Sequence, residues 1–379
     1  MTALAETLNL SFTAHDPDIP VYVALSGGVD SAVAACLLKQ HFKTVIGVSH
    51  RHWPESRCCS TECIDRCAQQ CADMGIPYYP VDCMVEFAQQ IVDNFVATYE
   101  RGMTPNPCVL CNEQIRFDLM LRKHFELEGQ DIPDRYFLAT GHYARVEERD
   151  GRFHLMKGED ETKDQSYMLH RLSQEELSHC LFPLGSVEKS VVREIAEQYQ
   201  LTSAKIGDSM DICFVQDTYQ DFLKQYSEKP QKPGDIVNAS GDVLGQHNGI
   251  AYYTRGQRSG LGLSGGPWYV SGIDASTNTV TVGRRDDLLV SSVRVTDLHW
   301  TYPETAEPFT CRMQTRYRSR EAEVTVTPLG DGEAMITLGE PSHDITLGQS
   351  AVFYKGADVI GGGIMCGFSV EEDVEAGRS

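Results

Sequence analysis

Short apolar runs alternate with amphipathic segments over residues 1–215. Runs rich in β-branched and aromatic residues predict buried strands at residues 21–25, 44–48 and 136–140. Segments of good helix formers with apolar residues on one face predict helices at residues 32–38, 63–74, 85–99 and 113–126. This alternation predicts an α/β fold, with a parallel sheet that carries helices on both faces.

The pattern changes after residue 215. Residues 216–285 are rich in turn signals such as KPGD and RGQRSGLGLSGG. From residue 286 onward, strand-like runs such as EVTVTPL and AVFYK alternate with turns. We therefore expect a catalytic domain at 1–215, a small mixed linking domain at 216–285 and a C-terminal β-barrel at 286–379, which ends in a short polar tail.

Length and cysteine content limit the class of protein. A chain of 379 residues fits two or three domains, and its sequence has no run of 18 apolar residues and no signal-like start. Thirteen cysteines, an odd number, do not suggest a disulfide framework. These features predict a cytoplasmic protein with thiol or metal chemistry and no membrane partner.

The stretch SGGVDS, residues 26–31, joins the first predicted strand to the first predicted helix. Glycines there permit positive φ, and the N–H groups at a helix N-terminus favour an anion. The Walker lysine and the third glycine of the dinucleotide fingerprint are both absent. The alternative is an ordinary turn in which Asp30 or Ser31 caps the helix. In an open parallel sheet, this loop should lie near His50, Gly141 and His142.

The net charge of −21 argues against indiscriminate nucleic-acid binding but leaves room for a local basic patch. The segment TRYRSR, residues 315–320, supplies one. If it is a strand, Arg316, Arg318 and Arg320 share one face and Tyr317 lies on the other. The alternative is a solvated basic edge strand.

Two groups of cysteines are candidates for chemistry. Cys63, Cys67 and Cys71 recur every four residues along one side of a helix, which favours packing. A zinc site completed by Cys58 and Cys59 is the alternative.

The second group, Cys108 and Cys111, lies in TPNPCVLCN, after two prolines that exclude a preceding helix and near the helix predicted to start around residue 113. A helix N-terminus lowers the pKa of a nearby thiol. A thioredoxin-type redox pair and a purely structural loop remain alternatives. Cys213 alone is typical of a buried core thiol.

The loop SGGVDS resembles the pyrophosphate loop of the N-type ATP pyrophosphatases, the PP-loop superfamily. The wider series SGGVDS, TPNPCVLCN, ATGHYAR, KDQSYML, DSMDICFV, RGQRSGLG and PWYV resembles the tRNA 2-thiouridylases, in the expected order over residues 20–368. The resemblance implies ATP-dependent adenylation of O2 of the wobble uridine. Sulfur is then transferred to C2, and AMP and pyrophosphate are released.

The resemblance also implies roles for individual residues. Cys111 matches the catalytic nucleophile, Cys213 matches the persulfide carrier, and Asp30 would orient the helix start or a Mg²⁺ ion. The implied ATP-binding residues are Ala24, Leu25, Ser26, Gly27, Gly28, Val29, Asp30, Ser31, His50 and Gly141. The implied tRNA-binding residues are Asn106, Pro107, Cys108, His142, Lys163, Asp164, Gln165, Arg316, Tyr317 and Gln349.

Position 108 departs from the family pattern, because many members have aspartate where this chain has Cys108. Cys108, Cys111 and Cys213 together form a possible three-thiolate ligand set for a [4Fe–4S] cluster whose open iron would carry sulfide. The alternative is a Cys213 persulfide whose release leaves a Cys111–Cys213 disulfide. Both versions need a sulfur donor such as a cysteine desulfurase or a sulfur-relay protein. Tyr167 or Trp53 is a candidate stacking platform for the flipped base.

Two other functional classes fit part of the sequence. An ATP-pyrophosphatase amide ligase explains SGGVDS but gives Cys111 and Cys213 no task. A non-catalytic RNA-binding module explains the barrel and TRYRSR but not the phosphate loop.

Overall fold

A computed structural model describes residues 8, 10–54, 56, 60–205, 212–302 and 305–368. Cys58, Cys59 and the predicted polar tail lie outside these residues. The chain divides into two units: the first comprises residues 1–91, 108–216 and 357–359, and the second comprises residues 92–107, 217–356 and 360–379. None of the described helices has the length and apolar character needed to cross a bilayer.

The described strands and helices follow in chain order. The strands are β1 (Val21–Ala24), β2 (Val45–Arg51), β3 (Tyr78–Asp82), β4 (Phe137–Thr140), β5 (Ala144–Arg149), β6 (Arg152–Lys157), β7 (Cys180–Leu181), β8 (Gly234–Val237), β9 (Val243–His247), β10 (Tyr269–Asp274), β11 (Thr279–Gly283), β12 (Val290–Trp300), β13 (Phe309–Gln314), β14 (Ala322–Gly330), β15 (Glu333–Ser342), β16 (Ser350–Lys355) and β17 (Asp358–Phe368). The helices are α1 (Val29–Lys39), α2 (Thr61–Met74), α3 (Met84–Phe87), α4 (Asp93–Glu100), α5 (Pro107–Leu110), α6 (Met120–Glu128), α7 (Gln174–His179), α8 (Lys189–Gln198) and α9 (Tyr219–Tyr226).

The first unit is built on a five-stranded parallel sheet of order β3-β2-β1-β4-β7. β1 is fully buried and lies between β2 and β4, with Val21 opposite both Val45 and Phe137. Its apolar side chains pack with those of α1 and α8 in one core. The predicted α/β fold, its three strands and its central parallel sheet are confirmed. An antiparallel hairpin, β5–β6, follows β4.

The predicted helix at 63–74 is α2, which has Ser60 as its N-cap and ends at Gly75 with φ 64°. Cys67 and Cys71 on α2 lie in the apolar core, and burial raises the pKa of their thiols to about 11 and about 12. The Cys71 sulfur would lie 2.6 Å from a Cβ placed on Gly47 of β2. These contacts confirm packing as the role of Cys67 and Cys71.

The helix predicted to start around residue 113 begins earlier, at Pro107, so the purely structural loop considered for Cys108 and Cys111 is wrong. Proline suits the first turn of a helix, where its missing N–H has no intrahelical partner. Cys108 is therefore in α5, and Cys111 begins a π-helical segment, Cys111–Leu119, that continues into α6. The helix predicted at 85–99 is likewise interrupted by a π-helical segment, Ala88–Val92.

The second unit contains two β structures with separate apolar cores. A mixed sheet of order β10-β11-β8-β9 packs Ile236, Val270 and Val280 against Leu261. The closed antiparallel barrel has the order β12-β15-β14-β13-β16-β17, and β17 pairs back with β12. Its strands alternate buried and exposed residues, as expected of a small barrel whose side chains fill the interior.

The strand predicted at TRYRSR is also wrong. β13 ends at Gln314, and residues 316–319 form a turn that Ser319 closes through its backbone N–H to the carbonyl of Arg316. The Ser319 hydroxyl accepts hydrogen bonds from the backbone N–H groups of Thr315 and Arg316, at 3.2 and 3.3 Å. Arg318 has φ 64°, so its side chain does not share a strand face with that of Arg316.

Candidate functional site

The predicted phosphate loop follows the carboxyl end of β1. Gly27 has φ 70°, and Gly28 is the N-cap of α1, so the first N–H groups of the helix have no carbonyl partners within it. The hydroxyls of Ser26 and Ser31 lie 3.2 Å apart, and Ser31 Oγ donates to the Gly28 carbonyl. All the predicted ATP-binding residues of this stretch lie between the end of β1 and the first turn of α1: Ala24, Leu25, Ser26, Gly27, Gly28, Val29, Asp30 and Ser31. This geometry favours an anion.

Gly141 follows β4 and lies directly beside this loop. A Cβ at position 141 would be 2.7 Å from the backbone nitrogen of Ser31 and 2.8 Å from the carbonyl carbon of Asp30. Any side chain there would displace backbone at the start of α1. The ends of β1 and β4 are therefore held close together.

The Asp30 carboxylate is part of an ion pair that the sequence did not reveal. Lys189 Nζ lies 2.6 and 2.7 Å from its two oxygens, and the Tyr143 hydroxyl donates to Oδ1 at 2.8 Å. Lys189 is buried and is the first residue of α8, where its backbone N–H donates to Asp160. These contacts fix the first turn of α1 against α8.

His142, beside Gly141, contacts the helix that carries Cys111. Its Nδ1 lies 2.8 Å from Thr140 Oγ1, and its Nε2 lies 3.4 Å from the guanidinium of Arg116. Burial, with a smaller contribution from the Arg116 cation, lowers the pKa of His142 to about 3. The imidazole is therefore neutral at physiological pH. Arg116 also bonds Asn112, whose amide donates to the Met168 carbonyl at 3.0 Å.

His50 lies near the carboxyl end of β2, as predicted, and is buried. Its Nε2 has no hydrogen-bond partner in the described part of the chain. Burial, His52 and the Arg116 cation hold the pKa of His50 well below its usual value. The His50 ring lies 4.7 Å from that of His52, and His52 Nε2 lies 3.3 Å from Cys213 Sγ. A chain of neighbours thus extends from Cys213 through the two histidines to Arg116 and the Cys111 helix.

The iron–sulfur ligand set predicted at Cys108, Cys111 and Cys213 is not assembled in this structure. Cys108 and Cys111 lie three residues apart near the start of one helix, whereas the Cys213 sulfur contacts His52. Among the residues that the structure describes, no three His, Cys, Asp or Glu side chains are placed to share a metal ion. All three cysteines are half-buried.

Two of the predicted tRNA-binding residues at 163–165 bond within the protein. Asp164 accepts hydrogen bonds from the backbone of Gly158 and Ser166, at 2.9 and 3.1 Å, and burial raises the pKa of its carboxyl. Gln165 Oε1 accepts from the backbone N–H of Tyr143 at 3.1 Å. Lys163 is half-buried in the same turn. Asp164 and Gln165 therefore hold the loop that positions Tyr143, whose hydroxyl meets Asp30.

In the second unit, Gln349 holds the segment before α5. Its side-chain amide donates to the carbonyls of Thr104 and Pro105, at 3.1 and 2.8 Å. The next residues along the chain are Asn106, which is half-buried, and Pro107, which is buried. Gln349 is therefore a support for this segment.

The basic turn of the barrel is more exposed. The guanidinium of Arg316 lies 3.0 Å from Asp344, and both side chains are more than half exposed. The Arg318 guanidinium lies 5.1 Å from the centre of the Tyr317 ring. This turn presents cations and an aromatic ring to solvent, with one of the cations partly balanced by Asp344.

The predicted stacking platform at Tyr167 is wrong, because the Tyr167 side chain is fully buried. Trp53 is half-buried beside the rings of Phe87 and Phe214, with centroids 6.3 and 6.4 Å away.

Sequence reasoning missed Lys189, Tyr143, Arg116 and His52. Lys189 is 159 positions from Asp30, and His52 is 161 positions from Cys213, so no local spacing links them. The available signal was indirect: Tyr143 belongs to the ATGHYAR motif, and Arg116 follows the Cys-x-x-Cys pair by five residues.

Comparison with known proteins adds three family matches. The model described as tRNA methyl transferase HUP domain matches residues 19–217, and the one described as tRNA methyl transferase PRC-barrel domain matches residues 220–284. A third, described as aminomethyltransferase beta-barrel domain, matches residues 290–365.

Among solved structures, the U34-tRNA thiolase NcsA from Methanococcus maripaludis with its [4Fe-4S] cluster aligns at 22% identity and a TM-score of 0.37, covering 59% of this chain and 70% of that one. A TM-score this low supports no conclusion about this chain.

Curated relatives match over most of the chain. The tRNA-specific 2-thiouridylase MnmA of Geobacter metallireducens is 43% identical over 357 residues, which cover 90% of this chain and 95% of that protein. The protein of the same name from Clostridium beijerinckii is 40% identical over 356 residues, covering 91% of this chain and 98% of that protein. Matches of this identity and coverage, over the SGGVDS turn and two cysteine segments in one α/β unit, show that this chain belongs to the tRNA-specific 2-thiouridylase family.

Proposed function

We propose that this protein is an ATP-consuming tRNA-uridine 2-sulfurtransferase that acts in the cytoplasm on the wobble uridine of tRNA. The observation that carries the proposal is the glycine turn of Ser26–Ser31 at the start of α1, in the same unit as Cys111 and Cys213. The turn supplies a site for the phosphates of ATP, and the cysteines supply sulfur chemistry. An amide ligase would need only the turn.

The first half-reaction activates the base. O2 of uridine attacks the α-phosphorus of ATP, and the bond to the pyrophosphate oxygen breaks. The N-terminus of α1 and the hydroxyls of Ser26 and Ser31 hold the departing pyrophosphate. The Lys189–Asp30 pair keeps that helix end in place. We assign Mg²⁺ to the phosphates of ATP, because both Asp30 oxygens already accept hydrogen bonds from Lys189.

The second half-reaction replaces oxygen by sulfur. The terminal sulfur of a Cys213 persulfide attacks C2 of the adenylated uridine, and AMP leaves with O2. The base is then joined to Cys213 through a disulfide. The Cys111 thiolate attacks Cys213 Sγ, which releases 2-thiouridine and leaves a Cys111–Cys213 disulfide. A dithiol reductant and a persulfide donor, such as a cysteine desulfurase or a relay protein, restore the starting state.

We propose the persulfide route over the iron–sulfur route on the support that Cys213 contacts His52 and that the three cysteines are not grouped as ligands in the described residues. In the persulfide route, the Cys111 thiolate has to reach Cys213 Sγ only after the sulfur has been joined to the base.

The activity itself is testable with the purified protein, ATP, a persulfide donor and tRNA that has an unmodified wobble uridine. We expect tRNA-dependent release of pyrophosphate and, by mass spectrometry of the nucleosides, formation of 2-thiouridine. Omission of the donor should leave pyrophosphate release and abolish thiolation. Release of pyrophosphate with no sulfur in the tRNA, at any donor concentration, would contradict the proposal.

The basic turn should contribute to tRNA affinity. Replacing Arg316 with alanine removes one exposed cation, so we expect Kd for tRNA to rise ~3-fold to ~10-fold and the slope of log K against log salt to fall by about one phosphate contact. Filter binding across a salt series measures both quantities. Asp344→Asn is the matched control, since it removes the partner anion and should leave binding equal or tighter. An unchanged slope in Arg316→Ala would exclude a phosphate contact.

A further inference from the structure

His52 lies just after β2, buried, in an orientation that its hydrogen bonds define. Its Nδ1 lies 3.2 Å from the backbone carbonyl of His50. A carbonyl oxygen can only accept, so Nδ1 carries the proton and donates it. In the neutral ring, Nε2 then presents a lone pair.

That lone pair faces the thiol proposed to carry sulfur. Cys213 Sγ and Ser56 Oγ each lie 3.3 Å from His52 Nε2. The thiol is half-buried, so it stays accessible to a donor. Two aromatic rings pack beside the His52–Cys213 pair. The Phe87 ring lies 4.6 Å from that of His52, and it packs on Phe214, the residue after Cys213.

We propose that His52 is a catalytic base that takes the proton of Cys213 and prepares it to accept sulfur, a role that rests on the function proposed above. The thiolate, not the thiol, attacks sulfur. A histidine within hydrogen-bond distance is the common means of activating a cysteine nucleophile. Ser56 donates its own hydrogen bond to Nε2 when the thiol is alkylated or persulfidated, which keeps the ring in place.

The step balances in atoms and electrons. The Cys213 proton moves to His52 Nε2 and leaves a thiolate beside an imidazolium. The thiolate attacks the outer sulfur of a donor persulfide, so that a new S–S bond forms on Cys213 and the S–S bond of the donor breaks. The donor thiolate leaves and takes the proton from His52. No net oxidation occurs, because the outer sulfur moves from the donor persulfide to Cys213 at the same oxidation state.

The described contacts of His52 are with a second histidine, two uncharged donors and an aromatic ring. The neighbouring His50 is held neutral, because burial, His52 and the Arg116 cation all lower its pKa. Ser56 and the Cys213 thiol are uncharged donors, and Phe87 is apolar. Among these contacts, His52 Nε2 is the acceptor that lies within hydrogen-bond distance of the Cys213 thiol.

The test measures how fast iodoacetamide alkylates Cys213 in the full-length protein near neutral pH, with peptide mass mapping to follow each cysteine separately. In His52→Gln, whose amide keeps a hydrogen bond to the thiol but accepts no proton, we expect alkylation of Cys213 and persulfide loading from cysteine persulfide to slow by ~10-fold. His124→Gln, a buried histidine packed on Tyr22 and Tyr79, is the matched control and should react like wild type.

Alkylation of Cys213 at the wild-type rate in His52→Gln would overturn the proposal. If that variant does not fold, the pH profile of Cys213 alkylation in the wild-type protein decides. A midpoint below the ordinary thiol value of about 8.5 supports the pair, and a midpoint at or above it overturns the pair. These readouts need no tRNA. Failure of thiolation by the wild-type protein would instead count against the proposed function. The rates of Cys213 alkylation would still decide whether His52 activates the thiol.

Discussion

Replacing Cys213 with serine will leave the ATP half-reaction intact and lower sulfur transfer to tRNA by at least ~10³-fold, the scale expected when a catalytic nucleophile is removed. Serine keeps the size and a hydrogen-bond donor beside His52 but cannot hold sulfane sulfur. Pyrophosphate release and 2-thiouridine content, measured in the same reaction, separate the two steps. Cys366→Ser, at a half-buried thiol of the barrel, is the matched control and should thiolate normally. Normal thiolation by Cys213→Ser would exclude Cys213 as the carrier.

The partner substitution, Cys111→Ser, then distinguishes the sulfur routes. Without the second thiol, the bond between Cys213 and the sulfur on the base is not resolved. A covalent protein–tRNA adduct, sensitive to dithiothreitol, should therefore accumulate. A cluster route forms no such adduct.

Removing the buried cation at Lys189 should have the second large effect. Lys189→Met leaves the Asp30 carboxylate without its ion pair, and the Lys189 and Asp30 side chains are 8% and 30% exposed. Breaking a fully buried pair costs ~3–5 kcal/mol, and the partial exposure of Asp30 lowers our expectation to ~2 kcal/mol. Thermal unfolding should show Tm lower by ~4–8 °C. Pyrophosphate release should fall as well, because the start of α1 loses a support.

A double-mutant cycle identifies the cause. Adding Asp30→Asn to Lys189→Met removes the uncompensated charge, so the double variant should be more stable than the sum of the single effects implies. Lys224→Met breaks an exposed ion pair with Asp221 on α9 and serves as the control, with no measurable change expected. Additive losses in the cycle would show that the two side chains act independently.

The parallel sheet was predictable because its strands carry their own signal. Residues of β1 are apolar throughout, those of β4 are apolar up to Thr140 at its end, and both strands are buried on both faces, as in parallel sheets generally. The position of the SGGVDS turn between β1 and α1 was also predictable, since its glycine and hydroxyl residues lie between an apolar strand signal and a helix signal. Local sequence sufficed for both.

The features that could not be predicted depend on contacts between residues far apart in the chain, or on turns in which a side chain takes the backbone N–H groups that a strand would use. Nothing local in the sequence around Lys189 indicates that it will meet Asp30, or that His52 will meet Cys213. The helix start at Pro107 was missed because proline before a cysteine pair resembles a loop, whereas proline is also well suited to a first turn. In TRYRSR, alternating arginines mimic a strand, but the Ser319 hydroxyl captures the backbone N–H groups and closes a turn.

Because residues Cys111–Leu119 form a π-helical segment, the number of residues in it helps to set the directions of its side chains. A π-helical segment holds more residues per turn than the 3.6 of an α-helix. Deleting one residue would let the stretch tighten and would rotate one end against the other by ~100°. The Cys111 thiol and the Asn112 amide that grips Met168 would then point in new directions. The number of residues in this segment, as well as their identity, therefore sets the direction in which the Cys111 thiol points.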